Sequence, residues 1–200
     1  MLLQENKLAP MLKLSRPFNA SDARAYGLTS SHLAYYCNKG LLQRLSRGVY
    51  AAAHAQSGAH EELEQLVLKK TQFVLCLISA LQIHELTTQS PTSLWIAIAQ
   101  GARMPQLDSY QPECVRLTPA PFHYGVEEHI IDGMTVKVYS AAKTVADCFK
   151  FRNKIGIDVA IEALRDGYRQ QRFSISELME AARINRVANI ITPYVESLIS

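Results

Sequence analysis

Arg44 and Arg47 stand three residues apart in the stretch LQRLSRGVY, the second of them directly ahead of a glycine. Two permanent cations on such a stretch suit one chemistry above all, charge-assisted hydrogen bonding to phosphate. Gly48 supplies the positive-φ conformation that a side chain resists, so the arginines are expected on a hairpin too short to form a core of its own. Upstream, Thr29, Ser30, Ser31, His32, Tyr35 and Lys39 place hydroxyl, imidazole, phenol and ammonium groups along one short segment. Side chains of these types exchange hydrogen bonds with base edges and phosphates.

Other constellations lead nowhere comparable. His123 and His129 bracket HYGVEEH without the i, i+4 spacing or a cysteine partner that a zinc site needs, so no metal and no cofactor is expected. Cys37, Cys76, Cys114 and Cys148 form no C-x-x-C pair and read as reduced, mostly buried thiols. No Gly-Ser dipeptide stands ahead of paired carboxylates, as a nucleotidyltransferase requires, and VKV offers a nuclease-like lysine without its acid. Neither phosphate-cradling glycine motif occurs. Lys143 and Asp147 lie at i, i+4 and are expected to form a helix-surface ion pair worth a few tenths of a kcal/mol. Lys150, Arg152 and Lys154 read as a cationic helix end matching the dipole, with a secondary phosphate contact left open. No catalytic residue is assigned.

The elements that must position the polar groups follow from caps and periodicity. A first helix is expected over about Leu3 to Leu14. In NASDARAYGL, Ser21 is the expected cap of a short helix that Gly27 ends; Thr29 then caps SSHLAYYCNK, which Gly40 ends. Leu33, Tyr36 and Cys37 fall at i, i+3, i+4 and should face Ala23, Leu28, Leu42, Leu45 and Val49, with Tyr50 in the core. The opposite face then carries Ser31, His32, Tyr35 and Lys39. Helix, helix, tight turn, helix and hairpin is the order of a winged helix-turn-helix, whose recognition helix fits a major groove about 12 Å wide while the hairpin reaches neighbouring phosphates.

Further along, LWIAIAQ, CVRLTPAP, EEHIID and MTVKVY have strand composition, and Asp132-Gly133 signals a two-residue hairpin between the last two. Helices are expected next. Ser140 caps one with a stripe of Ala142, Val145, Cys148 and Phe149; another presents Ile157, Ile161, Leu164 and Tyr168; Ser174 and Glu177 form the capping box of a third. The fold class is therefore α+β: a winged helix-turn-helix over residues 1–53, a linker at 54–60, and over 61–200 a mixed α/β domain with short strands and a helical C-terminus.

Charge is unevenly shared. The 200 residues carry a net charge of +3, but residues 1–58 hold seven Lys/Arg against two Asp/Glu and the remainder fourteen against sixteen. Such segregation points to a polyanionic partner for the N-terminal part, double-stranded DNA in the simplest case. The longest apolar run, FVLCLISAL, is too short for a membrane span, and MLLQENKLAP lacks the features of a secretion signal, so a cytoplasmic protein without a membrane partner is expected.

The segment FNASDARAYGLTSSHLAYYCNKGLLQRLSRGVYAAA resembles the N-terminal domain of AbiEi-type antitoxins, with its short helix, glycine, second helix and RGVY wing. VKVYSAAKTVADCFKFRNKIGIDVAIEALRDGYRQQRFSISELMEAA is similar to that family's strand, Ser-x-x-Lys-Thr-x-x-Asp helix start and paired helices. The resemblance implies an antitoxin and autoregulatory repressor of a bacterial abortive-infection operon. It implies binding to inverted-repeat operator DNA through the winged helix, and opposition to a nucleotidyltransferase-like toxin through the C-terminal domain. Members often carry arginines in the recognition helix, where this chain has Ser30, Ser31, His32, Tyr35, Asn38 and Lys39. A stand-alone DNA-binding regulator and a degenerate nuclease-like enzyme are the alternative readings. With no heptad in the sequence, a monomer in solution is expected.

Overall fold

A computed structural model of the chain describes residues 8–14, 17–54, 61–69, 71–89, 93–107 and 110–199. The fold is mixed α and β, as expected. It forms two compact units: the described residues up to Thr71 with Pro105–Gln111, and Gln72–Met104 with the chain from Pro112 onward.

The first unit begins with a helical turn, α1, over residues 8–12; the rest of the expected first helix before residue 8 lies outside the described residues. It continues with β1 (Phe18–Asn19), α2 (Ala20–Ala25), α3 (Ser30–Asn38), β2 (Leu42–Ser46), β3 (Val49–Ala52) and α4 (Glu61–Leu68). The strands form an antiparallel sheet in the order β1-β3-β2. Leu8, Met11, Phe18, Ala23, Leu28, Leu33, Tyr36, Leu42 and Tyr50 are its core, with Phe18 stacked on Tyr50 at 6.2 Å. Leu33 and Tyr36 are buried and Cys37 is half-buried, as the helical spacing requires.

Two local expectations change. Asn19, not Ser21, caps α2: its Oδ1 accepts the N–H groups of Ser21 (2.8 Å) and Asp22 (2.9 Å), while the Asp22 carboxylate accepts the N–H of Asn19 (3.1 Å). The amide oxygen satisfies two open donors of the first turn, and the extended backbone it needs is supplied by β1. Leu45 is only half-buried, because β2 carries an irregularity between Arg44 and Ser46 that leaves Leu45 without a partner in β3 and turns Ser46 inward.

The expected linker at 54–60 lies, except for His54, outside the described residues. Helix α4, expected to open the C-terminal domain, falls in the first unit together with Pro105–Gln111. The Tyr110 hydroxyl donates to Glu61 at 3.3 Å and Lys69 Nζ donates to the Gln106 carbonyl, so hydrogen bonds between distant stretches hold that segment to α4. No local signal in the sequence announces such a return.

The second unit holds a five-stranded mixed sheet in the order β6-β5-β4-β8-β7, from β4 (Val74–Leu75), β5 (Trp95–Ala99), β6 (Glu113–Leu117), β7 (Val126–Ile131) and β8 (Met134–Tyr139). Its helices are α5 (Leu77–Ile83), α6 (Pro119–His123), α7 (Ala141–Lys150), α8 (Arg152–Ile155), α9 (Ile157–Arg169), α10 (Ile175–Ile184) and α11 (Ala188–Ile199). The run FVLCLISAL therefore divides into a strand and a helix, and TPAP belongs to a short helix because Pro119 and Pro121 cannot both serve a sheet. Asp132 and Gly133, both at positive φ, turn β7 into β8 as expected. Ser174 and Glu177 form the expected capping box.

Helix α7 is the centre of this unit and packs against α5, α9, α10 and α11. Every residue from Ala141 to Phe149 is buried, including Lys143 and Asp147, which corrects the expected surface ion pair. Lys143 Nζ lies 2.5 Å from Asp147 Oδ2 and 4.1 Å from the centroid of the Tyr139 ring. Asn185 Nδ2 donates to the other carboxylate oxygen at 2.8 Å. Burial pushes the Asp147 carboxyl upward, and Lys143 and Asn185 oppose that shift. The stripe expected on α9 holds at Leu164, which is buried, and at Ile161, which packs against the core, but not at its two ends. Ile157 and Tyr168 are exposed, while Val159, Ala160, Ala163, Leu164 and Gly167 face inward. Small residues permit the close approach: a Cβ on Gly167 would stand 2.2 Å from Phe173 Cε1. Asp147→Ala, which leaves the Lys143 ammonium buried without its carboxylate, is expected to cost about 3–5 kcal/mol in denaturant unfolding. The double replacement Lys143→Met/Asp147→Leu should recover part of that loss, because no unpaired charge remains.

Candidate nucleic-acid interface

The ends of α3 are fixed by its own side chains and by the glycine that follows. Thr29 Oγ1 accepts the His32 N–H (3.4 Å) and His32 Nδ1 accepts the Thr29 N–H (3.2 Å), a reciprocal box with imidazole in the role usually taken by a carboxylate. An Nδ1 that accepts makes Nε2 the protonated nitrogen of the neutral ring. At the other end Leu41 N–H reaches the Tyr36 carbonyl (3.1 Å) and Gly40 N–H that of Cys37 (3.0 Å). Gly40, at φ +69°, makes this closure possible.

Between these ends Thr29, Ser30, Ser31, Tyr35, Asn38 and Lys39 are exposed and His32 is half-buried. Tyr35 is 51% exposed, stands edge-on to Tyr36 at 5.4 Å, and has Lys39 Nζ 5.8 Å from its ring centroid. The next element, β2, packs against α3 and carries Arg44. Arg44 is exposed, with Nε 3.4 Å from the Ser46 carbonyl. Its charge is felt at Cys37, whose thiol burial pushes up and Arg44 pulls back. Arg47 occupies the turn between β2 and β3, and Gly48, at φ +82°, completes it.

The structure thus gathers α3 and the Arg44 to Gly48 hairpin in one small unit. The two parts of the set are not alike: Thr29 and His32 hold the helix start, whereas Tyr35, Lys39 and Arg47 have exposed ends. Arg24, exposed in the last turn of α2, adds a cation in the same unit that no motif in the sequence singles out. In the second unit, Arg152 Nη1 donates to the Phe149 carbonyl at 2.9 Å and so closes the end of α7, the dipole-matching role expected of that cluster. Lys150 is half-buried and its ammonium is held below the ordinary lysine value by burial, while Lys154 is exposed. All four cysteines are free; Cys76 and Cys148 are buried, Cys37 and Cys114 only partly. His84, Glu127 and His129, distant in sequence, lie close together, a grouping that no spacing in the sequence reveals.

Thr29→Ala removes the oxygen that caps α3 and is expected to cost about 1 kcal/mol in denaturant unfolding. Tyr35→Ala, on an exposed face, should stay within about 0.5 kcal/mol of the parent. Comparison with curated proteins returns no match. Residues 11–53, which contain α2, α3 and the hairpin and take in the resemblance read at Phe18–Ala53, match the family model described as transcriptional regulator, AbiEi antitoxin.

Proposed function

We propose that the protein is an antitoxin and autoregulatory transcriptional repressor of a bacterial toxin–antitoxin operon. In this reading residues 1–53 are a winged helix-turn-helix that binds inverted-repeat operator DNA, and the chain from residue 61 opposes a nucleotidyltransferase-like toxin. The observation that carries it is the placement of α3 beside a hairpin bearing Arg44 and Arg47, inside the segment that matches the antitoxin regulators. A role in phage defence in the cytoplasm follows from the same reading.

The roles divide by chemistry. Arg44, Arg47 and Lys39 neutralise phosphates and give affinity that falls with salt. Ser30, Ser31, His32 and Tyr35 face base edges from α3, Thr29 with its neighbouring N–H groups anchors the helix start on a phosphate, and the T-methyl is met by the Tyr35 ring. Two copies on an inverted repeat place two α3 helices in successive major grooves about 34–36 Å apart.

Binding to the upstream region of the protein's own operon, measured by gel shift across a salt series, tests the DNA half. Arg44→Ala/Arg47→Ala is expected to weaken binding to any duplex and to reduce the salt slope by about one unit for each phosphate left without its arginine. Substitution of Ser31 or Tyr35 is expected to change sequence preference instead. Unchanged affinity and slope in the folded double variant overturn the hairpin's role. For the antitoxin half, the neighbouring toxin is expressed from an unrelated promoter, so that repression cannot protect the cell. Both the parent and the double arginine variant should rescue growth; failure of the folded parent to rescue reduces the protein to a regulator.

A further inference from the structure

Glu127 and His129 stand two residues apart on β7 and therefore on one face of the strand. His84, at the C-cap of α5, reaches the same place from another layer of the second unit. Its Nε2 lies 2.7 Å from the carbonyl oxygen of Tyr139, the last residue of β8. A carbonyl only accepts, so Nε2 carries the hydrogen and Nδ1 is left as the lone-pair nitrogen. Fixing one imidazole nitrogen on a backbone carbonyl orients the other as a metal ligand.

One donor atom from each of His84, Glu127 and His129 lies within 4.8 Å of the other two. His129 Nε2 and Glu127 Oε2 are 3.3 Å apart, about the edge length of a tetrahedron built on metal bonds of about 2.0–2.2 Å. The His84 and His129 rings meet edge to face with centroids 5.6 Å apart, a separation that small rotations convert into two ligands converging on one ion. Arg172, which lines the same cavity, pairs with Glu85 at 2.7 Å.

We propose that His84, Glu127 and His129 bind a divalent transition metal of the zinc class, through two imidazole nitrogens and one carboxylate oxygen. Two imidazoles disfavour calcium and magnesium, which take oxygen ligands, and suit zinc or cobalt. Three protein ligands leave a fourth position for water. His84 and Glu127 also line a cavity of about 490 Å³ with Ser140, Tyr124, Arg172 and Glu177, which gives that water room.

The test uses the full-length chain, freed of metal with a chelator, in a calorimetric titration with Zn²⁺ alone, and in parallel Co²⁺ for its visible spectrum. One ion per chain is expected, with the absorption bands of four-coordinate cobalt. Glu127→Gln and His129→Asn alter side chains that are 50% and 30% exposed, so both should melt like the parent in the absence of metal. Each is expected to weaken Zn²⁺ affinity by at least about tenfold. His123→Asn, away from the cluster, should leave it unchanged. Absence of saturable one-to-one binding, an affinity that either cluster variant leaves unaltered, or an equal loss in His123→Asn overturns the proposal.

Discussion

A lysine and an aspartate shut away from water in the middle of α7 set the terms for the second unit. Burial of either charge alone is costly, so the two must meet, and at i, i+4 on one helix they do so whenever the helix forms. The remaining valences then dictate neighbours. Tyr139 must present its ring to the ammonium, Asn185 must reach the second carboxylate oxygen, and the end of β8 must lie against the start of α7. The Tyr139 carbonyl accepts from Thr144 Oγ1 at 3.1 Å as well as from His84 Nε2, so the same few atoms fix β8, α7 and the end of α5.

The first unit solves a different problem with few apolar residues. Its core is small, and its short helices are stabilised by capping: Asn19 with Asp22 at α2, Thr29 with His32 at α3, and left-handed glycines at 27 and 40. Polar side chains used this way are withdrawn from recognition, at least in part. Beyond the caps, Ser30, Ser31, Tyr35 and Asn38 on α3, Lys39 at its end, and Arg44 and Arg47 on the hairpin are exposed.

Much of this is legible in the sequence because local rules act locally. The succession of short helices and hairpin, Thr29 as a cap, Gly27, Gly40 and Gly48 at positive φ, the Asp132-Gly133 turn and the Ser174–Glu177 box each depend on a handful of adjacent residues. Expectation fails where a distant partner decides. Lys143 and Asp147 look like a surface pair because i, i+4 spacing says nothing about what covers the helix. Part of the inward face of α9 escapes a reading by apolar spacing because Ala160, Ala163 and Gly167 serve closeness rather than hydrophobic area. His84 is separated from Glu127 by more than forty residues, and the two meet through tertiary contacts, the pairing of β7 with β8 and the hold of His84 on the Tyr139 carbonyl.

The contrast between hairpin and helix bears on how the proposed DNA contact would work. In that proposal the arginine forks at 44 and 47 would give affinity without sequence information, since phosphates are the same at every step. Helix α3 offers no arginine, and thus lacks the bidentate guanine contact that most often carries direct readout. Hydroxyls read less discriminately, accepting from or donating to several base edges. A module of this kind gains specificity from pairing two weakly discriminating helices at a fixed separation, so that half-site spacing carries information that neither helix carries alone. Inverted repeats supply that spacing, and a chain that is monomeric in solution would let the DNA itself impose it.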